Sequence, residues 1–247
     1  MTYCVGLKTR KGLIFMSDTR TNAGLDNIST FSKMRSWSVP GERVIVLLSA
    51  GNLATTQAVA SVIEEQIRAA DPQQPSIFTT ASMFQTARHI GAVVQEVIRS
   101  TAPVGQTSDG FSASFILGGQ IRGDATRLFY IYPEGNFIEA STDTPFFQIG
   151  EHKYGKPILD RAVNFETTLP VALKLALISM DSTIRSNLGV GLPIDIITIP
   201  RDTQQASIVH RIEAGEPYFH DLRERWSAAL RAAHTAIPLP PYGGAAS

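Results

Sequence analysis

Thr2 places two reactive groups on one residue. Once Met1 is removed, which the small Thr2 side chain permits, a hydroxyl and a free α-amine share one Cα. An α-amine has a reference pKa of about 7.7–8.0, so it can act as base toward its own hydroxyl near neutral pH, with no histidine to help it. By itself Thr2 also reads as an ordinary strand residue; its company changes the balance. Asp18 closes an apolar run in Ser17-Asp18-Thr19-Arg20, Lys33 lies in an alternating segment, and Gly51 stands in Ser49-Ala50-Gly51-Asn52, at the start of a helix. A nearby lysine favours a neutral amine by charge repulsion, an acid holds the lysine, and the Gly51 N–H can point at a developing oxyanion. Each has a plainer reading too: Asp18 as a turn cap, Lys33 as a solvated edge residue, Gly51 as relief of crowding where strand meets helix.

The elements must bring these four together. Tyr3 to Lys8 and Gly12 to Ser17 form short apolar runs around a charged turn, a hairpin. Small residues at even positions (Thr2, Cys4, Gly6) and large ones at odd positions put Thr2 and Cys4 on one face. Thr19 to Asn27 reads as a loop containing Gly24, Thr30 to Val39 as one strand carrying Lys33, and Arg43 to Ala50 as the next. The expectation is four strands in two hairpins, neighbours in one sheet. Two helices follow, capped by Asn52 and Ser82, the first ended by Asp71-Pro72, with a loop at Thr101 to Asp109. Strands are expected at Ser112–Leu117, Leu128–Tyr132, Asn136–Ala140 and Phe146–Ile149. Helices follow near Tyr154–Arg161 and Leu169–Arg185, strands at Ile194–Ile199 and Ser207–Ile212, and a last helix from Pro217 to about His234. Segregated runs of strands and helices argue against a doubly wound sheet. They fit two antiparallel sheets packed face to face with helices on each outer face, in a single domain over 1–247. Residues 236–247, rich in Pro and Gly, are expected to form a flexible tail.

Composition narrows the function classes. Hydrophobic residues make up 43% and charged residues 18% of 247, which supports a large core rather than disorder. With 22 basic and 22 acidic residues and no basic stretch, a nucleic-acid surface is disfavoured. Cys4 is the single cysteine, which excludes an internal disulfide framework and fits a reducing cytoplasm. No signal peptide or membrane span is readable, and no histidine or cysteine pattern points to a metal or cofactor.

The start, MTYCVGLKTRKGLIFMSDTRTNAGLD, resembles that of proteasome β-type subunits and in particular the bacterial ancestral type, Anbu. FSKM, LLSAGN, SASFILGGQ, IYPEGNF, IGEHKYGKPILDR and MDSTIRSNLGVGLPIDI extend the resemblance over nearly the whole chain. It implies a four-layer αββα sandwich (α+β) of the N-terminal-nucleophile hydrolase type. It also implies a threonine peptidase that cleaves peptides or unfolded proteins through an acyl-enzyme on Thr2, with Asp18 and Lys33 tuning the amine and Gly51 donating to the oxyanion. Asp181 resembles an acid that helps anchor the N-terminus, and Ser186 its companion serine. No cofactor is implied; self-association into a ring or open ring is, while an ATPase partner stays unknown.

The chain departs from the family pattern in three places. Only Met1 precedes Thr2, where typical β subunits carry propeptides. A Gly-Ser-Gly-Ser segment is replaced by Gly150-Glu151-His152-Lys153, so Glu151 or His152 either faces the site or points away. The spacing from Asp181 to Ser186 is longer than usual. Ser49, where the family shapes its primary pocket, is small and suits a roomy one. Cys4, His89 and His210 read as packed or surface residues, and Arg20 either organises the loop after Asp18 or is solvated. The alternatives to a peptidase are a catalytically weak or inactive scaffold subunit of the same fold, and an amidase acting on a small molecule. The α-type subunits of the family carry an N-terminal helical extension that this chain lacks, which favours catalysis.

Overall fold

The computed structural model describes residues 1–22, 28–71, 73–101 and 108–242. The expected loop around Gly24, most of the loop from Thr101 to Asp109, Pro72 and residues 243–247 of the tail lie outside the described residues. The chain divides into two compact units, Met1–Ala214 and Gly215–Ser247.

The first unit opens with the expected hairpin, β1 (Tyr3–Thr9) and β2 (Gly12–Asp18). A short ribbon follows, β3 (Arg20–Asn22) paired with β4 (Ile28–Thr30). Next come β5 (Met34–Val39), β6 (Arg43–Gly51), α1 (Leu53–Ala69), α2 (Met83–Thr101), β7 (Ala113–Ile121), β8 (Arg127–Ile131), β9 (Phe137–Glu139) and β10 (Phe146–Gly150). The unit closes with α3 (Lys156–Ala162), α4 (Leu169–Ser186), β11 (Ile194–Pro200) and β12 (Ile208–Ile212). The second unit is mostly one helix, α5 (Pro217–Ala236), with Pro217 in its first turn.

Two five-stranded antiparallel sheets carry the first unit, in the orders β10-β1-β2-β11-β12 and β5-β6-β7-β8-β9. The first two hairpins are therefore not neighbours in one sheet. They belong to opposite sheets, and a strand's period of two explains how both stay buried. On β6, Val44, Val46 and Leu48 join Cys4, Leu13, Phe15, Ile116 and Leu128 in the core between the sheets. The alternate residues, Ile45 and Leu47, pack outward with Val59 and Ile63 of α1 and Ile90 and Val94 of α2. On β1, a side chain at Gly6 would collide with Ile116 and Leu128 of the facing sheet. The alternate residue Tyr3 reaches the other way, to Ser179 of α4. The result is the αββα layering expected from the element order.

The expected helix caps are present. Asn52 Oδ1 accepts the Thr55 amide at 3.0 Å and Ser82 Oγ the Gln85 amide at 3.2 Å. The segment Thr30 to Val39 is not one strand: pairing stops at Thr30 and resumes at Met34. Lys33 lies in that break, between a segment paired with β3 and one paired with β6, and its ammonium bonds Asp18. Among the described residues no helix is long and apolar enough to cross a membrane.

Candidate active site

Thr2 sits one residue ahead of β1, on the face that Cys4 and Gly6 turn toward the second sheet. Its carbonyl accepts the Glu151 amide at 2.6 Å. This bond extends the β1–β10 pairing, whose last partners are Tyr3 and Gly150. Gly150 has φ +79°, and a Cβ there would lie 2.0 Å from the Thr2 carbonyl oxygen. Only glycine lets β10 close on residue 2.

Asp18 ends β2 with no exposed surface. Its Oδ1 accepts from the Tyr3 amide at 3.0 Å and from Lys33 Nζ at 2.7 Å, and its Oδ2 from the Gly191 amide at 3.4 Å. Burial raises its carboxyl above the usual carboxylate range, against the opposing pull of Lys33 and the two amides. Lys33 Nζ also donates to the Arg20 carbonyl at 2.7 Å and the Met1 carbonyl at 3.4 Å. Three acceptors match the three hydrogens of an ammonium, so the cation is located from three sides. Its backbone is tied to the second sheet, because the Lys33 carbonyl accepts the Ser49 amide at 2.9 Å and Ser49 Oγ at 3.3 Å. A cation seated against the Met1–Thr2 peptide thus joins the end of β2, the break before β5 and the end of β6.

Gly51 closes β6 immediately before the Asn52 cap. It has φ +115°, and a Cβ there would fall 2.4 Å from the Ser112 carbonyl oxygen. Thr2, Thr21, Lys33, Ser49 and Gly51 line one pocket of about 230 Å³. Thr2, Lys33 and Gly51 therefore meet, with Asp18 directly behind Lys33.

Asp181 is buried in α4, with Oδ2 3.4 Å from Arg185 Nε one turn on. Ser186, the last residue of that helix, is exposed. The end of α4 is instead linked to the site by Asn187, whose Nδ2 donates to Glu151 Oε2 at 3.0 Å. His152 is exposed, with Nδ1 3.2 Å from the Gly150 carbonyl. Arg20 contributes its carbonyl to Lys33 and its guanidinium to the Leu188 carbonyl at 3.1 Å. Cys4 is buried with Sγ 3.6 Å from the Ser49 carbonyl. Burial pushes its thiol far above the ordinary range, which leaves it inert. His89 packs between helices, 2.8 Å from Gln66 Oε1, and burial lowers its pKa.

A buried network absent from the sequence reading also fixes β1. Tyr3 Oη is 2.5 Å from Ser179 Oγ and accepts from Gln148 Nε2 at 2.6 Å, while Ser179 Oγ donates to the Gly155 carbonyl at 3.1 Å. Burial raises the Tyr3 hydroxyl to about 12, so it stays a neutral donor. Tyr3 and Ser179 are 176 positions apart, and no local pattern announces their contact. Among the described residues no group of three or more His, Cys, Asp or Glu could hold a metal.

The model of the family described as proteasome subunit matches residues 2–199. Among solved structures, Anbu (ancestral beta-subunit) from Yersinia bercovieri is 47% identical, covering 96% of this chain and 99% of that one, with a TM-score of 0.90. Anbu from Hyphomicrobium sp. strain MC1 is 51% identical over 96% and 99%, with a TM-score of 0.90. The helical assembly of the Anbu complex from Pseudomonas aeruginosa is 43% identical over 97% and 98%, also with a TM-score of 0.90. No curated protein matches the chain.

Proposed function

The chain belongs to the proteasome subunit family, and on that footing we propose that it is a threonine peptidase whose nucleophile is Thr2 after Met1 is removed. The observation that carries this reading is Lys33, a buried cation bonded to Asp18 and 3.4 Å from the Met1 carbonyl, against the peptide whose cleavage exposes the Thr2 amine.

In this reading the Thr2 α-amine takes the hydroxyl proton as the oxygen attacks a peptide carbonyl. Lys33 disfavours the protonated amine, and Asp18 with the Arg20 carbonyl keeps Lys33 in place. The Gly51 N–H stabilises the oxyanion, and the ammonium formed at Thr2 protonates the leaving amine. Water then hydrolyses the ester, with the amine again as base. Ser49 leaves the pocket wall small beside Thr2. Asp181, buried in α4 and 3.4 Å from Arg185, is assigned the N-terminus-anchoring role that the family likeness implies.

We further propose that the chain self-associates, on the strength of its likeness to a helically assembled relative. A scaffold subunit without activity would keep that association and lose the chemistry. Intact-mass measurement decides between them. The peptidase reading expects loss of Met1 and addition of one N-terminal-threonine-directed electrophile to the wild type, and no addition to Thr2→Ala. A retained Met1, or labelling that survives Thr2→Ala, overturns it.

A further inference from the structure

A nucleophile at a chain end has a particular geometric problem. Once Met1 leaves, nothing precedes residue 2, so its orientation depends on the groups that hold its own carbonyl and the next amide. Asp18 holds the amide of Tyr3, at 3.0 Å. The carbonyl of Thr2 is held by the Glu151 amide at 2.6 Å. Glu151 follows β10, at the turn set by Gly150, and needs an anchor of its own.

That anchor comes from the far end of α4. Glu151 Oε2 accepts from Asn187 Nδ2 at 3.0 Å. Asn187 is in turn fixed at both ends: its amide donates to the Thr183 carbonyl at 2.9 Å and its Oδ1 accepts the Gly189 amide at 2.8 Å. Gly189 lies against residue 1, where an added Cβ would come within 2.6 Å of Met1 Cβ. That neighbour leaves with Met1; what remains at Thr2 is the exit of β10, joined to the exit of α4 through one side-chain hydrogen bond.

We propose that Glu151 and Asn187 are a positioning pair for Thr2. They act through the Glu151 amide, and neither side chain takes part in bond making. This inference rests on the peptidase reading, since the pair orients the nucleophile which that reading names. It also accounts for the Gly150–Lys153 segment as a clasp built from a different side chain, tied to Asn187 rather than to Ser186. A reacting group displaced by about 1 Å can cost up to about 100-fold in rate, so a clasp at this bond acts on the chemical step more than on binding.

The test exchanges donor and acceptor in full-length protein. Asn187→Asp keeps the acceptor for the Gly189 amide but sets a second carboxylate against Glu151. The double variant, Glu151→Gln with Asn187→Asp, re-forms the bond with its donor reversed. The first readout is labelling by an N-terminal-threonine-directed epoxyketone, resolved into a maximal rate and a half-saturating concentration. The second is hydrogen exchange at the Glu151 amide, which needs no catalysis. Asn187→Asp should lower the maximal rate about tenfold with the half-saturating concentration within about twofold, and should speed amide exchange about tenfold. The double variant should recover both to within about threefold. Wild-type labelling and exchange in Asn187→Asp, or no recovery in the double variant, overturns the pair. Absence of labelling in the wild type overturns the peptidase reading instead, and the exchange measurement then decides the pair alone.

Discussion

Replacing Lys33 with alanine removes the cation but leaves the Asp18 carboxyl fully enclosed, with only the Tyr3 and Gly191 amides as donors. Breaking one side of a buried ion pair costs about 3–5 kcal/mol, and two surviving donors favour the lower figure, about 3 kcal/mol. At about 2–4 °C per kcal/mol for a chain of this size, Tm should fall by about 6–12 °C at fixed protein concentration. The pH dependence has a definite sign. Burial already raises Asp18, and loss of Lys33 raises it further. A carboxyl whose folded pKa exceeds its unfolded value of about 3.9 contributes stability below that value and loses it as pH rises through the folded pKa. The Tm deficit should therefore be larger at pH 8 than at pH 5. Labelling of Thr2 should drop at least about 100-fold, the scale of losing one preorganised electrostatic group. The assays are thermal unfolding at both pH values and electrophile labelling followed by intact mass. A deficit equal at the two pH values refutes the buried-charge argument, and labelling at the wild-type rate refutes the role given to Lys33.

Gly51→Ala forces a side chain into φ +115° and toward the Ser112 carbonyl; it should cost about 1–3 kcal/mol in chemical denaturation and slow labelling, and a neutral outcome would remove the backbone argument there. Tyr3→Phe strips a hydroxyl shared by Ser179 and Gln148, so stability should fall by about 1–3 kcal/mol while Thr2 still labels; complete loss of labelling in folded protein would make that network part of the chemistry. The acid limb of the labelling rate should combine two protonations, of the Thr2 amine and of the raised Asp18 carboxyl, because protonating Asp18 releases Lys33. Below the second protonation the rate should fall more steeply than about one decade per pH unit, and a limb of unit slope throughout would exclude Asp18 from the profile.

Local pattern made the catalytic candidates and most elements legible. The small-large alternation of residues 2–7 put Thr2 and Cys4 on one face, which the structure turns inward at Cys4, and Asn52 and Ser82 marked two helix starts. The apolar runs of β2 and β6 are readable as strands, and both prove buried on both faces, but nothing local says that they belong to different sheets. Sheet membership depends on which strand pairs at long range, and β2 pairs with β11, some 180 positions away. The break at Lys33 was hidden for a related reason: alternation continues through Thr30–Val39, but Ile28–Thr30 pairs with β3 while Met34–Val39 pairs with β6, a change of partner that no local pattern records. Asn187, Ser179 and Gly191 carry no local signal, because their roles arise where the middle and end of α4 and the approach to β11 meet residues distant in sequence. Asp181 and Ser186 share one helix, yet Asp181 is enclosed and Ser186, at its last position, is exposed.

The central claim is that Thr2 becomes a free-amine nucleophile. The most direct measurement is the intact mass of wild-type protein and Thr2→Ala, before and after an epoxyketone directed at N-terminal threonine. The account predicts a wild-type mass lacking Met1, one added inhibitor on Thr2, and no addition to Thr2→Ala. A wild-type chain that retains Met1, or a Thr2→Ala protein that still takes the inhibitor, would contradict it.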